Sequence, residues 1–204
     1  MPSTLFHLGL AGLIAAAVLD VVDRRALAVV AAAVLLPEID TVAGLWIRGA
    51  HRAMLNNVWL PLGLAALLYH DTRRRDRSWL RARWGADAPR IAWTGVVVLA
   101  VAGIGGDLFF NGVNLFWPLH DRFYRIDGTV LLSTERGLVE NIVDRAVLGG
   151  TDAVQYRTGV DPDPASPGHE PGADRVFPVA TSGSRLLVSV VGIGVLGYRY
   201  RRDR

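Results

Sequence analysis

The sequence predicts an all-α fold: a multi-pass membrane helix bundle of about five spans with a polar extracytoplasmic loop. Three observations predict it. Of the 204 residues, 51% are hydrophobic and the mean hydropathy is +0.28, which is high for a soluble domain but ordinary for a multi-pass chain with one large loop. The apolar residues fall into long runs separated by short polar connections. All 22 basic residues are arginine, and eleven of them fall in residues 70–90 and the closing YRYRRDR, as the positive-inside rule requires of cytoplasmic segments. There is no cysteine, which excludes disulfides and thiolate metal sites. The pI is 9.8, but the charge is unevenly placed in a way that fits membrane topology, so no nucleic-acid partner is expected.

The elements follow in order. Residues 5–19 form an apolar run interrupted only by His7. It has no basic segment ahead of it and no small-x-small cleavage site, so it is expected to be a retained helix rather than a signal peptide. Residues 20–25 make a tight polar connection. A second helix starts at Ala26, and Pro37 kinks or ends it. Residues 39–47 stay apolar, so the segment is expected to continue as a broken helix, which a membrane tolerates only where protein or water covers the backbone. Residues 53–69 are the expected third span, and 91–110 the fourth. Between them, residues 70–90 carry seven Arg against three Asp. GVNLFWPLH, residues 112–120, leaves the membrane with aromatic residues at the interface.

Beyond it, residues 124–133 suggest a short hairpin turning at Asp127-Gly128, and residues 138–148 a short amphipathic helix. Residues 160–174, rich in Pro, Gly and Asp, read as a mobile loop. Residues 186–198 are the core of a fifth span. The chain thus divides into a membrane bundle carrying the polar site (1–120), an extracytoplasmic loop region (121–182), and a last transmembrane helix with its basic cytoplasmic tail (183–204). Residues 119–182 hold ten acids against six Arg and are placed outside. Five spans satisfy every constraint, with the N-terminus outside and the C-terminus cytoplasmic in a cell membrane.

Residues 35–57, LLPEIDTVAGLWIRGAHRAMLNN, set Glu38, Asp40, Arg48, His51, Arg52, Asn56 and Asn57 within a stretch that otherwise belongs in a bilayer. Ionisable groups at that depth cost a few kcal/mol and mark a site by default. At about 1.5 Å per helical residue, His7, Asp40, Asn56 and Asp107 rise about 20–25 Å above the cytoplasmic ends of their spans. Four spans therefore put polar residues in one layer near the outer interface. Imidazole and carboxylate are the ligand set of zinc, manganese or non-haem iron. A divalent metal, zinc foremost, would lower the pKa of bound water for hydrolysis there.

At these residues the chain resembles the YdjM-like membrane-bound metal-dependent hydrolases, distant relatives of zinc-dependent phospholipase C. The resemblance covers residues 5–120. It rests on an early His7, on Leu36-Pro37-Glu38-Ile39-Asp40, on His51-Arg52, and on Asp107 in a Gly-rich helix ahead of GVNLFWPL. It implies that His7, Asp40, His51 and Asp107 hold the metal, with Glu38 as general base or orienter and Arg52, Asn56 and Asn114 around them. Two positions depart from the family pattern: Asn56 and Gly103 stand where histidines belong. His120 is the expected substitute, since His70 falls at the opposite membrane face.

Two functions follow from different classes. One is a metal-dependent hydrolase at the outer interface, acting on an ester or phosphoester, with a lipid as one such substrate. The other is a non-catalytic membrane protein whose polar layer is an interhelical network, with Asp40 and Asp107 paired to Arg48 or Arg52, and whose outer loop binds a partner. A transporter with a midplane site has the broken second helix in its favour but lacks an inverted repeat.

Overall fold

The computed structural model describes residues 4–154 and 179–204, apart from 45, 48 and 136. Arg48 and the expected mobile loop at 160–174 lie outside the described residues.

Helix α1 (Thr4–Val18) is apolar apart from Thr4 and His7. Asp23 starts α2 (Arg24–Leu35) by accepting the Ala26 N–H at 2.8 Å, an N-cap that satisfies one of the free donors of the first turn. Pro37 then breaks the helix as expected. The segment bends by 43°, passes through a 3₁₀ turn at Pro37–Ile39 and ends in the single turn of α3 (Asp40–Ala43).

The third apolar segment starts its helix later than its composition predicts. Helix α4 (Trp59–Tyr69) begins at Trp59 rather than Ala53. The reason is Asn57, whose Oδ1 accepts from the backbone N–H groups of Trp59 and Leu60 while its Nδ2 donates to the carbonyls of Ala53 and Met54. The carboxamide thus terminates the loop and opens the helix. A π-wound turn at His70–Arg74 extends α4. The short α5 (Trp79–Trp84) follows. Next, α6 (Ala88–Val98), a π-wound stretch at Leu99–Gly105 and α7 (Gly106–Phe110) form one continuous helix.

That helix, Ala88–Phe110, is long and apolar enough to cross a membrane, and the bent pair of α2 with Pro37–Ala43 passes the same test taken together. Helix α1 is apolar but has only 15 residues. The chain ends in α8 (Gly183–Arg202), capped by Ser182.

The described residues are mostly helical, with one antiparallel hairpin made of β1 (Tyr124–Ser133) and β2 (Gly137–Val147). Two expectations are corrected here. Asp127-Gly128 is not the turn: β1 runs through it with a register shift between Asp127 and Thr129, and the strands reverse between Ser133 and Gly137. The segment expected as an amphipathic helix is β2. Its β-branched residues Val139, Ile142, Val143 and Val147 suit a paired strand, and the ladder with β1 decides between two patterns that a short run leaves ambiguous.

The core is built where α1, α2 and α6 meet, from Ala11, Ala15, Ala26, Val30, Val34 and Val98. Helix α8 lies against α1 so closely that a Cβ on Gly192 would come within 1.9 Å of the Gly9 carbonyl oxygen, and one on Gly9 within 2.5 Å of Ser189 Cα. Small residues are what allow helices to approach backbone to backbone. The contact is latched at the C-terminal end of α1 by Arg199. Its guanidinium donates to the carbonyls of Ala16, Leu19 and Asp20, each at 2.8 Å, satisfying the free carbonyls at the end of α1. Asp203 completes the latch by accepting the Val22 N–H at 2.9 Å.

Candidate metal centre

Three elements deliver the polar layer. Helix α1 brings His7, the break after α2 brings Glu38 and Asp40, and α7 brings Asp107. The loop at 44–58 closes over them with His51, Arg52 and Asn56. His7, Asp40, His51, Arg52, Asn56, Asp107 and Asn114 are all buried, and Glu38 is half-buried.

His7, Glu38 and Asp107 place one ligand atom each within 4.8 Å of one another, a group that can hold a metal ion. Helix α7 lets the imidazole in because Gly106 has no side chain: a Cβ there would lie 3.0 Å from His7 Cε1 and Nδ1. His7 Nδ1 stands 2.6 Å from the Ala102 carbonyl oxygen. A carbonyl only accepts, so Nδ1 carries the donated proton, and Nε2 of the neutral ring presents a lone pair. That Nε2 has no hydrogen-bond partner and lies 3.6 Å from Asp107 Oδ1. Two acceptors therefore face each other in a buried site, which requires a proton on the ring or a cation between them. Two ligands of one tetrahedral zinc, each about 2.1 Å from it, stand about 3.4 Å apart, so the separation suits a shared ion better than a hydrogen bond. The nitrogen and two carboxylate oxygens are a donor set that fits zinc or a similar divalent metal.

Asp40 and His51 form a second unit. Asp40 is fully buried, and its Oδ1 accepts from His51 Nδ1 at 3.0 Å, while Thr41 Oγ1 lies 2.9 Å from the same nitrogen. Asp40 Oδ2 accepts the Arg52 backbone N–H at 2.8 Å. Arg52 joins the two units. Its Nη2 lies 3.7 Å from Asp107 Oδ1, and its carbonyl accepts the Asn114 N–H at 3.0 Å. Its φ of 62° puts a long side chain in the left-handed region, where non-glycine residues are uncommon and held by their surroundings.

The sequence-predicted residues thus divide. His7, Glu38 and Asp107 come together, with Glu38 among the ligand atoms rather than behind them. Asp40 and His51 pair with each other. His120 is exposed and lies against the Tyr124 ring, centroids 6.2 Å apart, so it does not replace a missing imidazole. The place beside Gly103 is taken by Pro37, whose Cγ would be 3.4 Å from a Cβ there. Asn56 is buried with its Oδ1 unpartnered. Asn114 turns away from the carboxylates: its Nδ2 donates to Asp121 Oδ1 at 2.5 Å and its Oδ1 accepts the Arg122 N–H at 3.2 Å. Thr41, Asn111 and the Ala102 carbonyl were missed. Asn111 Nδ2 donates to Asp107 Oδ1 at 3.0 Å, a one-turn spacing visible in the sequence, whereas a backbone carbonyl leaves no signal in it.

Asp121 anchors the segment that leads into and out of the hairpin. Its carboxylate accepts from the Thr151 backbone N–H and hydroxyl as well as from Asn114. Burial pushes its pKa up, but the Thr151 and Asn114 hydrogen bonds outweigh that and hold it below the ordinary carboxylate value. No family model matches the chain, and neither does any curated protein or solved structure.

Proposed function

We propose that the chain is a membrane-embedded, metal-dependent hydrolase acting near the outer interface on an ester or phosphoester, with zinc as the metal. The observation that carries this reading is the His7, Glu38 and Asp107 group, its His7 and Asp107 buried and its Glu38 half-buried, with an imidazole nitrogen that has no hydrogen-bond partner aimed into it. The outward-facing Leu62, Leu67, Val101, Leu187 and Val190 support a bilayer around the bundle and, with the arginine asymmetry, the five-span topology. The resemblance to the YdjM-like hydrolases supports the reaction class.

A bound divalent ion supplies Lewis acidity to a scissile carbonyl or phosphoryl oxygen. The protein's own groups do the remainder. His7, Glu38 and Asp107 would hold the ion, and the Ala102 carbonyl fixes the imidazole so that Nε2 is the ligand atom. The Asp40–His51 pair, with Nδ1 donating to the carboxylate, is built to hold or pass a proton at the imidazole. Arg52 keeps both carboxylates in register.

The test is metal analysis of the detergent-purified chain beside Asp107→Ala. Wild type is expected to retain stoichiometric zinc, with affinity lowered at least about tenfold in the variant. Wild-type protein that folds without metal would end the hydrolase reading. One observation favours a second reading: the Arg52 guanidinium beside Asp107 already supplies a cation. With a protonated His7, the same groups make a buried ion-pair network in a non-catalytic protein whose outer hairpin meets a partner.

A further inference from the structure

On the cytoplasmic side of the bundle, away from the polar layer, an apolar groove of about 550 Å³ runs between α2, α4 and α6. Ala32, Ala33, Leu64, Leu67, Gly95 and Leu99 are among its lining residues. Leu67 is 68% exposed, so the groove is open along its flank. Its one polar end is Asp71 and Arg75, and the indole of Trp79 closes it there. A second, shallow basin of about 660 Å³ begins at those same residues. It shares Arg75 and Trp79 with the groove and adds Arg74, Arg77 and Ser78, with Asp76 as its one acid. Asp71 stands at the junction: its carboxylate lies 3.6 Å from Arg75 Nη1 and also holds α5, accepting from Ser78 Oγ at 2.6 Å, Trp79 N at 2.8 Å and Leu80 N at 3.2 Å. Arg25 ties the other end of α5 by donating to the Trp84 carbonyl at 2.9 Å. Helix α5 is thus fixed as a wall between a greasy slot and a cationic basin.

We infer that this groove and basin together bind one anionic phospholipid of the inner leaflet, its acyl chain between α2, α4 and α6 and its phosphate among Arg74, Arg75 and Arg77. Groove and basin meet at Trp79, an indole of the kind that sits at headgroup level. Three guanidiniums against the two carboxylates of Asp71 and Asp76 leave the junction net positive, which favours a net-negative headgroup over a zwitterionic one. The inference rests on the cytoplasmic placement of residues 70–90, not on the metal centre.

The test uses the full chain, purified in detergent, delipidated, and re-supplied with phosphatidylglycerol or phosphatidylcholine of equal chain length. Retained lipid is read by native mass spectrometry. Wild type is expected to retain phosphatidylglycerol in preference to phosphatidylcholine, by on the order of tenfold. Arg75→Ala with Arg77→Ala should erase the preference. Ala32→Trp, which fills the groove, should reduce retention of both lipids. Inorganic phosphate should not displace the lipid. Equal retention of the two lipids by wild type, undiminished retention in Ala32→Trp, or displacement by phosphate would each overturn the inference. Helical circular dichroism shows that the variants fold, and their zinc content should equal that of wild type, so the fate of the metal reading is scored separately.

Discussion

A single methyl group separates a site that admits His7 from one that does not. Gly106→Ala would put a Cβ 3.0 Å from the imidazole, so the ring must shift by a few tenths of an ångström against its bond to the Ala102 carbonyl. The expected outcome is a folded chain with zinc affinity at least about tenfold lower, measured by competition with a chromophoric chelator. Gly63→Ala, where a Cβ meets nothing within 4 Å, should leave affinity unchanged. Asp121 gives a pH test at the same scale. Its carboxyl is held below its ordinary value when folded, so its contribution to stability is complete above the unfolded value of about 3.9. That contribution is lost as pH falls through the depressed folded value. Asp121→Asn should lose stability at neutral pH and show a flatter acid limb in thermal melts than wild type. Among these residues His7 and Asp107 were legible, because two ionisable groups at one depth on different helices have few other reasons to be there. The exposed His120 was not, since the turn at 112–120 directs it toward Tyr124 and adjacency to Asp121 carries no orientation.

At the level of elements, the Gly9–Gly192 contact sets where α1 stands, and α1 carries His7. Gly192→Val would drive a side chain into backbone and should release α8. Overpacking alone costs about 1–3 kcal/mol, and the expected readout is a lower melting temperature together with loss of zinc. Gly194→Ala, with open space around it, is the tolerated counterpart. Helix existence was legible throughout the bundle, since long apolar runs between Asp23, Pro37 and the arginines leave little choice. Boundaries were less so. Asn57 moved the start of α4 because its carboxamide satisfies four backbone groups at once, a competition that apolar composition does not report. Strand β2 was misread because its eleven residues match a helical stripe until a partner strand is known.

For the whole molecule, the five-span proposal turns on orientation, since it fixes which leaflet each proposed site meets. Ala86 and Ala153 are both exposed, in the arginine-rich segment and in the segment after the hairpin that the five-span reading places outside. Single cysteines there, in a chain with none of its own, should label from opposite faces of the membrane. An impermeant maleimide on intact cells is expected to reach Ala153→Cys and to reach Ala86→Cys only after permeabilisation. Reaction at both on intact cells would refute the five-span topology.

The latch of Arg199 onto the end of α1 reaches Leu19 across 180 residues of sequence, and this has a consequence in time. At about 5–20 residues per second, the ribosome delivers α8 roughly ten to forty seconds after α1. During that interval the glycine face of α1 has no mate, and the helix bearing His7 has neither its small-residue contact nor its guanidinium clasp. The polar layer is therefore among the last features of the chain to mature. A message cut short before Gly183 would yield every residue of that layer without the element that holds its first member in place.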